Sequence, residues 1–150
     1  ISASITRLFM SERSFHESTL TVKKFISDEY QQLQGSIVLN SLLPNSYKTN
    51  ILFTKGETVE NIISLNYSIG LSIKRILYKK PLKVSLSQSF YDGGNFLGVT
   101  REDTSNKLSV SYPVYRGLNV SIGYLDNNST IQSFSHNGPL VSVSFSKINF

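Results

Sequence analysis

Apolar and polar positions alternate along most of this chain with a period of two. The longest run is Ile63, Leu65, Tyr67, Ile69, Leu71 and Ile73, separated by Ser64, Asn66, Ser68, Gly70 and Ser72. An extended strand turns successive side chains to opposite faces, whereas an apolar helix stripe recurs at three and four, so the run predicts a β-strand. The spacing repeats in Leu82–Leu86, in Leu108, Val110, Tyr112 and Val114, in Leu118, Val120, Ile122 and Tyr124, and in Val141, Val143 and Phe145. Shorter stretches around Tyr47–Phe53, Ile37–Leu39, Leu20–Val22 and residues 3–11 read the same way. The pattern predicts an all-β chain of about eight strands, with room for a ninth.

Glycine, proline and asparagine punctuate the runs at Leu43-Pro44-Asn45, Lys55-Gly56, Lys79-Lys80-Pro81, Asp92-Gly93-Gly94, Arg116-Gly117, Asp126-Asn127-Asn128 and Asn137-Gly138-Pro139. These residues favour turns through positive φ, fixed φ or local side-chain hydrogen bonds. The polar, charged interval from Asp92 to Asn106 reads as a long exposed loop, and the connection at Tyr115-Arg116-Gly117 as a very short one. Alternating short and long connections suit an up-and-down antiparallel meander. No internal domain boundary appears in the 150 residues.

Strand length and the nature of the polar face point to a transmembrane barrel. Eleven positions from 63 to 73 extend over about 36 Å, and about 26 Å when tilted by roughly 45°, near the apolar band of such barrels. Soluble strands are usually half that length. The positions between the apolar ones are mainly Ser, Asn and Gly, small groups that fit a narrow lumen. The rival expectation is a soluble extracellular β-sandwich used in adhesion or as a coat protein, since a sandwich also alternates. In the barrel the lipid-facing set is Ile63, Leu65, Tyr67, Ile69, Leu71, Ile73, Leu108, Val110, Tyr112, Leu118, Val120, Ile122, Tyr124, Val141, Val143 and Phe145.

Composition agrees. Charged residues make up only 17%, with 25 serines and 12 asparagines in their place, while the net charge is +5. The absence of cysteine excludes disulfides and thiolate metal sites. No run of 18 apolar residues exists, so no membrane-spanning helix is expected. The first residue is Ile1, so the chain reads as a mature product or a fragment of something longer.

The chain closes on Phe150, after Asn137, Gly138, Val141, Val143 and Phe145. This order resembles the sorting signal of outer-membrane barrels, which implies the barrel assembly machinery as a partner in biogenesis. Phe145 and Phe150 have opposite parity, so a bulge or frayed end is expected near Ile148. Residues 98–150 carry a wider resemblance. Gly98-Val99-Thr100-Arg101-Glu102-Asp103-Thr104, then Ser121-Ile122-Gly123-Tyr124, then Asn128-Ser129-Thr130-Ile131 and Phe134, resemble the last three strands of two barrel groups. These are the surface lipoprotein assembly modifiers and the porin-like proteins encoded with exopolysaccharide genes. The resemblance covers about a third of the chain. It implies an outer-membrane anchor, scaffold or export conduit for lipoprotein or polysaccharide, and a ring larger than eight strands, of which this chain is a part.

Candidate chemistry is sparse. Lys74, Arg75, Lys79, Lys80 and Lys83 surround one predicted turn and are candidates for contact with phosphates of lipid or lipopolysaccharide. Arg101, Glu102 and Asp103 beside Lys107 suggest a charged rim. His136, next to Ser135 and ten residues after Asp126, is the only arrangement that could serve a lipid hydrolase, and a non-enzymatic role is expected. No metal or cofactor site is expected, because His16 and His136 lack ligand spacing. Nucleic acid is not an expected partner, since the aromatics follow the apolar positions rather than a basic face.

Overall fold

A computed structural model describes residues 1–26, 30–115 and 117–145. The chain forms one sheet of nine strands in sequence order, every neighbour antiparallel. The strands are β1 (Ser2–Ser11), β2 (Ser14–Ile26), β3 (Gln31–Leu43), β4 (Tyr47–Gly56), β5 (Ser64–Leu77), β6 (Lys80–Phe96), β7 (Val99–Tyr115), β8 (Leu118–Ser129) and β9 (His136–Phe145). Single 3₁₀ turns lie at Pro44–Ser46 and Gln132–Phe134. No helix among the described residues is long and apolar enough to cross a membrane.

The all-β meander agrees with the alternating pattern. Closure does not. The sheet is open, with β1 and β9 as two free edges, so these strands alone form no closed barrel. Parity is a physical obstacle, because nine strands in a meander leave the first and last running the same way. Pairing them would insert a parallel seam into an otherwise antiparallel ring.

Several expected turns prove to be strand. Asp92–Asn106 is the extended tip of the β6–β7 hairpin, in which Gly94 pairs with Arg101 and Phe96 with Val99 around a turn at Leu97-Gly98. Asp126-Asn127-Asn128 lies within β8, and Asn137-Gly138-Pro139 within β9, where Asn127 pairs with His136 and Leu125 with Gly138. These side chains have weak strand preference, but ladder hydrogen bonds override it, from both neighbours in β6, β7 and β8 and from β8 alone in β9. The true connection is Thr130–Ser135.

The run at 63–73 is also interrupted. A register shift in β5 sets Leu65 opposite Tyr91 and Tyr67 opposite Phe90, leaving Asn66 as the extra residue of a bulge. Tyr91 and Phe90 are consecutive and so point to opposite faces. Ile63 and Leu65 therefore depart from the face shared by Tyr67, Ile69, Leu71 and Ile73. Ile63 instead lines a small groove with Arg101 and Phe134.

The faces are sharply different in chemistry, and no hydrophobic residue is buried among those described. The most covered side chains are polar: Gln32, Ser41, Thr54, Ser64 and Asp103. One pairing row reads Ile5, Leu20, Ile37, Phe53, Ile69, Gln88, Asn106, Asp126, Asn137 from β1 to β9. Another row of the same face, four residues further on, reads Phe9, His16, Ser41, Thr49, Ile73, Val84, Val110, Ile122, Val141. The first begins apolar and ends polar. The second ends apolar. The apolar band thus crosses the hydrogen-bond rows obliquely. The Ile37 row meets β9 at Asn137, whereas the apolar run of β9 centres on Val143, so the band moves six residues between β3 and β9, six strand steps apart. One residue per strand is about 3.3 Å along for about 4.8 Å across, an angle of about 35°.

Glycine 123 shows how closely the strands approach on the polar face. A Cβ added there would lie 2.4 Å from the Leu108 carbonyl oxygen, while one added at Gly35 would meet nothing within 4 Å. We predict that Gly123→Ala destabilises the folded protein by about 1–3 kcal/mol. Gly35→Ala should be neutral or slightly stabilising through the unfolded chain. Denaturant titration of both variants in one detergent checks this, and equal midpoints would contradict it.

Candidate functional site

The register sorts the chain's chemistry onto two faces and two rims. On the apolar face Tyr67, Ile69, Leu71 and Ile73 align through β6 with Leu86 and Val84, and onward with Leu108 and Val110. Tyr112, Leu118, Val120, Ile122, Tyr124, Val141, Val143 and Phe145 continue the same face across β7, β8 and β9. Several are half or more exposed, Ile122 at 60% and Val141 at 72% among them. Gly138, Val141, Val143 and Phe145 all lie on β9. Phe150 and the bulge expected near Ile148 lie outside the described residues.

Aromatic and basic groups border the band. At the rim of the shorter turns, the Arg75 guanidinium sits 4.9 Å from the Tyr47 ring centre and Lys80 Nζ 6.0 Å from that of Tyr112. Lys80 also donates to the Val114 carbonyl at 2.6 Å. Phe9 stacks on His16 at 4.9 Å, and His16 lies within hydrogen-bond distance of Ser11 and Ser41. At the opposite rim Tyr67 stacks on Phe90 at 5.6 Å.

The basic cluster expected around the β5–β6 turn is therefore divided. Arg75 and Lys80 belong to the apolar face and its aromatic rim, and Lys79 lies in the turn itself. Lys74 and Lys83 pair across β5 and β6 on the polar face, where Lys74 also pairs with Lys48 of β4. Lys48 was not legible as part of this group, because it lies 26 residues before Lys74 and only the register unites them. Like charges set directly opposite on one face repel. Beside this row Asn50 donates to Asn40, and Asn40 to Glu17, at 2.7 and 3.0 Å. Glu17, Asn40, Asn50, Lys48, Lys74 and Lys83 line an open groove of about 530 Å³.

At the far rim the segments at 98–104 and 128–131 meet. Glu102 N–H donates to Thr130 Oγ1, Thr130 Oγ1 donates to the Thr100 carbonyl, and Thr130 N–H donates to the Glu102 carbonyl, each at 3.0 Å. Arg101 binds Asp103 through two nitrogens, at 3.1 and 2.5 Å, and lies 3.8 Å from the Phe134 ring centre. Phe134 meets Phe96 edge-on at 5.7 Å, and Asn127 donates to the Phe134 carbonyl. The connection after β8 is thereby folded against the polar face of the β6–β7 hairpin. Asp103 is 6% exposed and lies five residues before Leu108, about 16 Å of strand beyond the apolar positions of β7. Burial pushes its pKa up, but hydrogen bonds from Arg101 and Ser129 and the Arg101 charge outweigh that, holding the carboxyl below its ordinary range.

The residues suggested for hydrolysis engage other partners. Ser135 Oγ accepts from Ser129 N–H, and Asp126 accepts from Asn128. No hydrogen bond joins Ser135, His136 and Asp126 among the described residues. No group of three metal-ligating side chains is found among them either.

Because the folded Asp103 pKa is below the unfolded value, its contribution is present above the ordinary carboxylate range near 3.9 and lost as pH falls through the folded value. We predict that protection of the Thr130–Ser135 amides from hydrogen exchange, corrected for intrinsic rates, holds from pH 7 to 5 and falls below about pH 4. Asp103→Ala should lower the local opening free energy by about 1–3 kcal/mol at pH 7. Unchanged protection in that variant would remove Asp103 from the account. No family model, curated protein or solved structure matches the chain, so its function is read from these faces and rims.

Proposed function

We propose that the nine strands form part of the wall of a transmembrane β-barrel in a bacterial outer membrane, acting as an export conduit rather than as an enzyme. The oblique apolar band carries this reading. A hydrocarbon slab is level with the membrane plane, so strands tilted through it must shift their apolar residues steadily along the hydrogen-bond rows. The angle of about 35° taken from the spacings lies within the strand tilt of such barrels. Aromatic residues at both borders of the band, with Arg75 and Lys80 at one of them, suit the headgroup level.

Closure in this reading comes from further strands pairing with β1 and β9. An odd number of additional strands makes the total even and every neighbour antiparallel, as in single-chain bacterial barrels. Such a ring exceeds eight strands and leaves space among the serine and asparagine side chains of the polar face. The motifs in residues 98–150 that resemble export-associated barrels favour a conduit for lipoprotein or polysaccharide. The remaining partners are outer-membrane lipid, lipopolysaccharide and the barrel assembly machinery.

The protein should fold only with detergent or lipid, and migrate differently on a gel before and after heating. Ile69→Lys should destabilise it by about 2–4 kcal/mol when folded in bilayers. Ser68→Lys, on the other face of the same strand, should cost less than about 1 kcal/mol. A monomer that folds in plain buffer, with Ile69 protected by a second sheet, would establish the sandwich instead.

A further inference from the structure

The lysine row on the polar face lacks a structural reason for its charges. Lys48 pairs with Lys74, and Lys74 with Lys83, so three ammonium groups occupy neighbouring strands at one level. By strand alternation Lys23 and Lys107 share this face. The acids on it are Glu17, which accepts from Asn40, and Asp103, which is taken up by Arg101. The only ion pair among the described residues is Arg101–Asp103. No lysine of the row is ion-paired among the described residues, and Glu17 is the one carboxylate that lines the groove of about 530 Å³ with the three lysines. The next row of the same face, two residues along each strand, holds Asn50, Ser72 and Ser85, which add amide and hydroxyl donors beside the charges.

We propose that Lys48, Lys74 and Lys83 form a binding site for phosphate-bearing anions on the polar face. An oxyanion between three ammonium groups turns mutual repulsion into charge-assisted hydrogen bonding, and lysine suits it as a flexible point charge with three donors. Rings of basic side chains give anion and phosphate pores their selectivity by the same means. The site deepens the proposed function and rests on its reading of the polar face as lumenal. It gives the conduit a preference for anionic solutes.

The test uses the full chain folded in a nonionic detergent and titrated calorimetrically with sodium pyrophosphate at low ionic strength. The expected result is saturable binding that weakens at least tenfold in Lys74→Gln and several-fold in Lys48→Gln and Lys83→Gln. Lys79→Gln, in the turn, should bind like the parent chain. Lys74→Gln should also melt no lower than the parent chain, since it relieves repulsion. Absence of binding to the folded parent chain, or equal binding in Lys74→Gln, overturns the site. A second arm separates solute phosphate from lipid phosphate by flotation with vesicles of phosphatidylcholine alone or with phosphatidylglycerol. Equal retention of parent and Lys74→Gln on the anionic vesicles supports a solute site. Loss of retention in Lys74→Gln assigns the lysines to lipid headgroups and overturns the lumenal site. Failure of the membrane reading itself shows separately, as a chain that folds without detergent.

Discussion

The structure depends on a continuous antiparallel ladder of backbone hydrogen bonds, because it has little else to hold it. With no buried hydrophobic residue among those described, the usual driving force of a soluble core is missing. Ladder bonds alone contribute little net stability in water, where unfolded amides bond to solvent instead. In hydrocarbon the balance changes, since an unpaired amide or carbonyl costs several kcal/mol and pairing becomes obligatory. The same medium that enforces the ladder also accepts the exposed aliphatic face. A sheet with one apolar face, one polar face and no core is therefore a natural answer to a bilayer. In the proposed barrel its two edge strands are where further backbone would pair.

The strands were legible where alternation was strong, as in Ile69–Ile73, Leu108–Tyr112 and Val141–Phe145, because period two maps directly onto two faces. Their ends were not. Asp92–Asn106, Asp126–Asn128 and Asn137–Pro139 carry turn-forming residues, yet each is held in the ladder by a register that local preference does not reveal. The bulge at Asn66 escaped for a related reason. Ile63 and Leu65 keep perfect spacing with Tyr67, and only the partner strand reveals that the pairing slips there.

The candidate sites divide in the same way. The basic cluster after β5 was visible as a cluster, but its separation into a rim pair with Tyr47 and Tyr112 and a polar-face row with Lys48 is a product of register. Similarly, the Arg101-Glu102-Asp103 segment was visible as charged. Its engagement with Ser129, Thr130 and Phe134 needs the turn of β8 into β9 to bring them together. Sequence shows which residues could carry chemistry, and pairing decides which of them meet. Both meeting places lie outside the apolar band or on the face opposite to it, and from β5 to β9 the band carries no charge between its rims.

In the proposed membrane orientation the Ile69 face touches hydrocarbon and the Ser68 face does not. The chain has no cysteine, so a single spin label can be placed without background. Labels at Ile69→Cys, Leu71→Cys, Ser68→Cys and Ser72→Cys in lipid bilayers would report collision with oxygen, which partitions into hydrocarbon, against a water-soluble nickel chelate. High oxygen and low nickel accessibility are expected at 69 and 71, and lower oxygen accessibility at 68 and 72. Equal accessibility on both faces, or nickel contact at 69 and 71, would contradict it.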